Sequence, residues 1–290
     1  FMVLWSSGEH LFMPVRSAVG MQLAEGKDSQ ATRLGQLGGV ETIATILGCL
    51  FVWLAVDLFH WPYALLFAVG GSIACLGLWP LQRMRLHAER PPRANGWVVR
   101  RKYGLYYLLS VLFGARKQIF LTFGPWVLVK VFDQPPSTFA RLWILTALIG
   151  IWFKPALGRW IDRWGERRVL MADALLLIGV CLGYGFARSL LPQPFALHLT
   201  LLCYLLDQLL FATGMARATY LSKIAVKEED ITPTLSLGVS LDHAVSMSIP
   251  WLGGWIWMKL GYPWVFAGAA LLSLLNAIAC SFVSPGKERG

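Results

Sequence analysis

The sequence predicts an all-α membrane protein, a bundle of nine transmembrane helices, and three observations predict it. Hydrophobic residues make up 56% of the 290 and charged residues only 14%, too few to cover the surface of a water-soluble domain of this size. The apolar residues fall in continuous runs, as at 142–153 and 174–180, without the period-two alternation of an outer-membrane barrel. The basic residues gather in every second connector. A helix needs about 20 apolar residues to cross hydrocarbon, because its backbone polar groups must be satisfied within the segment.

In chain order the expected spans are 1–23, 36–58, 62–81, 104–131, 139–157, 169–188, 195–222, 234–259 and 263–283. One set of connectors carries Lys27 and Arg33, then the cluster Arg83, Arg85, Arg90, Arg93, Arg100, Arg101 and Lys102, then Arg159, Arg163, Arg167 and Arg168. The same set continues with Lys223 and Lys227 and ends with Lys287 and Arg289. The opposite connectors have only Lys130, Arg141, Arg188 and Lys259 at their edges. This asymmetry of 17 against 4 places the amino end of the first span outside and the carboxyl terminus in the cytoplasm. It also explains the net charge of +10 as a topological signal of a multi-pass protein of the cell (plasma or inner) membrane, with no nucleic-acid partner.

The basic connector 83–103, with Pro91-Pro92 at its middle, reads as a cytoplasmic linker. It divides residues 1–82, with three spans, from residues 104–290, with six. The five cysteines, Cys49, Cys75, Cys181, Cys203 and Cys280, all fall inside expected spans and read as small packing residues. Their spacing suits no metal, and neither a metal nor a cofactor is expected. A shift of 201 residues pairs Arg16 with Arg217, Ala24 with Ala225, Asp28 with Glu229, Leu34 with Leu235 and Glu41 with Asp242. Both stretches read as helix, short loop, helix, which agrees with parallel repeats about an axis along the membrane normal.

The fifth span is followed by Gly158-Arg159-Trp160-Ile161-Asp162-Arg163-Trp164-Gly165-Glu166-Arg167-Arg168. This stretch resembles the Gly-x-x-x-Asp-Arg-x-Gly-Arg-Arg signature of the major facilitator superfamily, with Glu166 in place of a basic residue. In that family the signature lies in cytoplasmic loops between the second and third spans of each six-span half. The resemblance implies that the chain holds the last nine of twelve spans, 1–82 being the remainder of the first half. It further implies that the loop latches the two halves at the cytoplasmic side, with Gly158, Asp162, Arg163, Gly165, Arg167 and Arg168 as its working residues. The glycines permit a tight turn against neighbouring backbone. Asp162 can cap a helix amino terminus, and the expected one is the eighth span's, where Thr232-Pro233 joins a capping residue to a proline.

Ionisable residues deep in a span cost several kcal/mol and mark candidate sites. The fourth span holds Arg116, Lys117 and Gln118, the seventh Asp207 and Gln208, and the eighth Asp242 and His243. The first adds Glu9, His10 and Arg16, and the second Glu41. Residues 116 and 117 stand about 100° apart around a helix, so one is expected to face a central cavity and the other to brace a neighbour. Mutual ion pairing is one reading of these charges. The other is proton coupling, with Asp207 first and the Asp242–His243 pair second, since a carboxylate near a cation can change protonation as access changes sides.

Together these readings point to a secondary active transporter of a small solute, working by alternating access, proton-coupled and monomeric. The alternative is a non-transport sensor or assembly factor on the same fold. No nucleophile–base pair or metal spacing supports an enzyme.

Overall fold

The computed structural model describes residues 2–24, 26, 29–83 and 98–284. Expectations for Asp28, Lys27, Arg85, Arg90, Arg93, Pro91-Pro92, Lys287 and Arg289 lie outside the described residues, as do the side chains of Glu9 and His10. Eleven α-helices account for nearly all of the described chain. They are α1 (Met2–Gln22), α2 (Gln30–Trp53), α3 (Tyr63–Leu76), α4 (Leu78–Arg83), α5 (Gly104–Lys130) and α6 (Pro136–Trp164). Then come α7 (Glu166–Leu190), α8 (Gln193–Leu210), α9 (Gly214–Ile224), α10 (Ile231–Leu260) and α11 (Tyr262–Ser281). Strands are absent among the described residues.

Six stretches are long and apolar enough to cross a membrane: Gln30–Val52, Tyr63–Pro80, Arg141–Trp164, Glu166–Leu190, Gln193–Ile224 and Tyr262–Ser281. α1, α5 and α10 match them in length, at 21, 27 and 30 residues. Their apolar character is diluted by ionisable residues such as Arg16, Arg116, Lys117 and Asp242.

Several boundaries depart from the expected spans, each for a physical reason. α2 starts at Gln30, six residues early, because a carboxylate from α6 caps its first turn. α6 runs on to Trp164 and is separated from α7 only by Gly165, whose φ of +85° suits a residue without Cβ. The seventh expected span is two helices, α8 and α9, joined by a 3₁₀ turn at Phe211–Thr213. α10 begins at Ile231, so Thr232 and Pro233 lie within its first turn and Asp230 occupies the cap position. The second span ends in a single π turn, Leu54–Leu58. Cys181, Cys203 and Cys280 are buried as packing residues, whereas Cys49 and Cys75 are exposed on the bundle's outer surface.

Two apolar cores lie at opposite ends of the bundle. One gathers Tyr103, Tyr106 and Leu109 of the α5 entrance with Leu157, Ile161, Leu170, Leu221, Leu235 and Cys280. These residues stand beside the basic connectors, so the helix ends that bear them share one end of the molecule. The other core gathers Phe120, Phe123, Val127, Leu177, Tyr184, Tyr204 and Phe266. Tyr184 and Phe266 stack at 4.8 Å between ring centroids and anchor α7 to α11. Outward, Trp152, Trp251, Met247, Met258 and Leu190 are each more than three-quarters exposed. An apolar exterior of this kind is the surface that lipid, not water, covers.

Candidate functional site

A layer of charge separates the two cores. On α5 it falls between Leu112 and Ile119, on α7 between Leu170 and Leu177, and on α10 between Leu235 and Ile249. Arg116 of α5, 3% exposed, lies between two carboxylates: Nη1 is 3.2 Å from Asp173 Oδ2 on α7, and Nη2 is 3.5 Å from Asp207 Oδ1 on α8. Lys117, one residue on and facing another way, places Nζ 2.8 Å from the Asp242 carboxylate on α10. Ser246 Oγ lies 3.2 Å from Asp242 Oδ1 and 3.0 Å from the Gly114 carbonyl, tying α10 to α5. Gly114 is required here, because a Cβ would stand 2.5 Å from the backbone oxygen of Asp242. Isolated charges at this depth would each cost several kcal/mol, so pairing is the condition of their burial.

Arg217 of α9 belongs to the same layer but is held differently. Its guanidinium lies 3.4 Å from the ring centroid of Phe113, and Phe113 in turn meets Phe211 edge to face. No carboxylate among the described residues comes within ion-pair distance of it. Beside this layer is a cavity of about 800 Å³. Arg16 and Glu41 line it as a pair, together with Lys154, Gln208, Arg217 and Asp242, while Phe12, Phe113, Phe211 and Tyr106 supply apolar wall. A smaller cavity of about 270 Å³ adjoins it at Glu41, Lys154 and Gln208.

The candidate residues therefore separate. Asp242 reaches the cavity. Asp207 is 1% exposed and sits behind the cavity wall, where its neighbour Gln208 takes the lining position. Neither Arg116 nor Lys117 lines the cavity; both brace acids on adjacent helices, because three carboxylates surround that turn of α5. Gln118 donates to Thr122 Oγ1 at 3.0 Å, and His243 Nδ1 lies 2.8 Å from the Val239 carbonyl.

The loop motif is resolved in detail. Asp162 accepts the backbone N–H groups of Ala31 at 3.1 Å and Thr32 at 2.6 Å, capping α2. The expected target, the start of α10, has Asp230 at its cap position, and that carboxylate is turned away from the helix backbone: it accepts from Tyr103 Oη at 2.7 Å and pairs with Arg100 at 2.9 Å. Gly158 lies so close to the Ala31 carbonyl and Thr32 Cα that no side chain fits between α6 and α2. At the same end Ser222 of α9 donates to the Gln30 side chain. Arg163, Arg167 and Arg168 are exposed and make no ion pair among the described residues. The residue that departs from the motif, Glu166, is 3% exposed and pairs with Lys223 Nζ at 2.9 Å.

Sequence reasoning passed over Asp173, Lys154 and the Glu166–Lys223 pair. A lone acid in the apolar stretch 169–180 and a lone lysine before Pro155 were the available signals. Lys154 Nζ donates to Thr42 Oγ1 at 2.7 Å across the α2–α6 contact.

A polytopic bundle with a lipid-facing exterior, paired charges at mid-depth and a cavity beside them defines a class: membrane proteins built to pass solutes. The family model described as the Major Facilitator Superfamily matches residues 1–228, and the chain belongs to that superfamily. No curated protein matches the chain. Membership makes it a multi-pass membrane transporter and not an enzyme.

Proposed function

We propose that the protein moves a small solute across the cell membrane by alternating access, coupled to protons, with its carboxyl terminus in the cytoplasm. Residues 1–82 and 104–290 would act as two bodies joined by a basic cytoplasmic linker. The observation that carries this reading is the ion triad at the centre of the bundle. Two carboxylates on separate helices, Asp173 and Asp207, both pair with the guanidinium of Arg116 beside the cavity wall. Charges this close are coupled, so a proton taken up or released at either carboxylate changes the charge that holds α5, α7 and α8 together. The α2 cap made by Asp162 and the close approach at Gly158 supply a latch at the basic-loop end, and a latch that can open is what alternating access requires.

Reconstitution of the full-length protein into liposomes, with a pH gradient and a panel of radiolabelled solutes, tests the proposal. Asp207→Asn is expected to abolish proton-driven accumulation while preserving counterflow exchange. Undiminished accumulation in that variant removes Asp207 from coupling. Absence of flux for every solute favours a sensor or assembly role.

A further inference from the structure

The internal repeat pairs Arg16 with Arg217 and Glu41 with Asp242, and all four residues line the one cavity. On one side the expected partnership forms: Arg16 pairs with Glu41. On the other it does not. Lys117 takes Asp242 at 2.8 Å. Arg217 is left stacked on Phe113, with no carboxylate among the described residues within ion-pair distance. Nearby, Lys154 also lines the cavity and donates to neutral oxygens of Thr42 and Gly38.

We propose that Arg217 is the anchor for the anionic group of the transported solute, an organic anion whose apolar body lies along Phe12, Phe113 and Phe211. A planar guanidinium presents a fork of donors that matches carboxylate, sulfonate or phosphate geometry, and stacking on Phe113 fixes the plane of that fork before the ligand arrives. Lys154 adds a further cation to the lining, where Arg16, Lys154 and Arg217 outnumber Glu41 and Asp242. A cavity of about 800 Å³ suits a ligand of drug size rather than an inorganic ion. The substrate class rests on the transport reading above; the anion site does not.

The test measures binding to purified full-length protein in lipid nanodiscs by calorimetry. The probes are 2-naphthoate, naphthalene-2-sulfonate and phenyl phosphate, compared with 2-naphthylmethylamine as a cation of matching shape. At least one anion is expected to bind ten-fold or more tightly than the amine. Arg217→Gln should weaken that binding ten-fold or more, Arg217→Lys should restore part of it, and Arg188→Gln, exposed and outside the cavity lining, should leave it within three-fold. Equal affinity for anions and amine, or anion affinity unchanged in Arg217→Gln, overturns the assignment. Should Arg217→Gln fail to fold, wild-type protein treated with phenylglyoxal decides the matter by mass spectrometry. The bound anion must protect Arg217 from modification, and unprotected Arg217 refutes the site. Anion binding without flux in liposomes would sink the transport reading alone; flux of a cation untouched by Arg217→Gln would sink the anion assignment alone.

Discussion

Asp162 offers the most direct perturbation. The first four N–H groups of a helix have no partner inside it, and two of those of α2, at Ala31 and Thr32, are satisfied by this one carboxylate. Replacing it with alanine sends both to water. Loss of such a cap costs about 0.5–2 kcal/mol, and loss of a negative charge at a partly buried helix amino terminus adds about 0.3–1 kcal/mol. A total near 2 kcal/mol corresponds to roughly a 30-fold rise in local opening, at about 1.4 kcal/mol per factor of ten. Amide hydrogen exchange read by mass spectrometry reports this directly, because the bonded groups are themselves exchanging amides. In Asp162→Ala, peptides covering residues 30–34 should exchange about 30-fold faster, while those from α11 stay unchanged. Asp162→Asn keeps an acceptor and loses the charge, so its effect should be smaller, about five-fold. Gly158→Val should mimic the alanine variant by a different route, since its side chain would displace α2 from α6. Exchange at 30–34 within two-fold of wild type in Asp162→Ala would refute the cap as what holds this end of the bundle.

Three further substitutions probe the same end. Lys223→Met leaves Glu166 buried without its cation and is expected to lower stability by about 3 kcal/mol, whereas Lys223→Met combined with Glu166→Gln should recover most of it; thermal melting in detergent checks this. Tyr103, fully buried before α5, donates to Asp230 and receives the Val226 N–H at 2.9 Å, so Tyr103→Phe should cost about 1–2 kcal/mol. Burial, and then the hydrogen bond to Asp230, push the Tyr103 phenol above its ordinary 10.0. Its folded value exceeds its unfolded one, so its contribution is complete below about pH 10 and fades as pH rises through the folded value. A melting-temperature profile should therefore show an alkaline loss in the wild type that Tyr103→Phe lacks.

The sequence by itself determined the helical membrane class, the approximate place of most long helices and the position of the loop motif. Each of these follows from local composition: a run long enough to cross hydrocarbon, basic residues on alternate connectors, a glycine–aspartate spacing fixed within eleven residues. It also flagged Arg116, Lys117, Asp207 and Asp242, because a charge in an apolar run is conspicuous wherever the run folds. Only the tertiary structure decided which charge meets which. Asp173 was invisible as the second partner of Arg116 because its role depends on α7 and α8 flanking the same turn of α5. Asp162 could be read as a capping residue, but the helix it caps is 131 residues away in sequence, and the choice of α2 over α10 belongs to the packing of α6. Arg217 and Arg16 are paired by the repeat, yet one meets a carboxylate and the other an aromatic ring, and that difference rests on where the side chain of Lys117 ends. Periodicity and composition report which residues leave water; the partners that make their burial possible are set by contacts between helices distant in the chain.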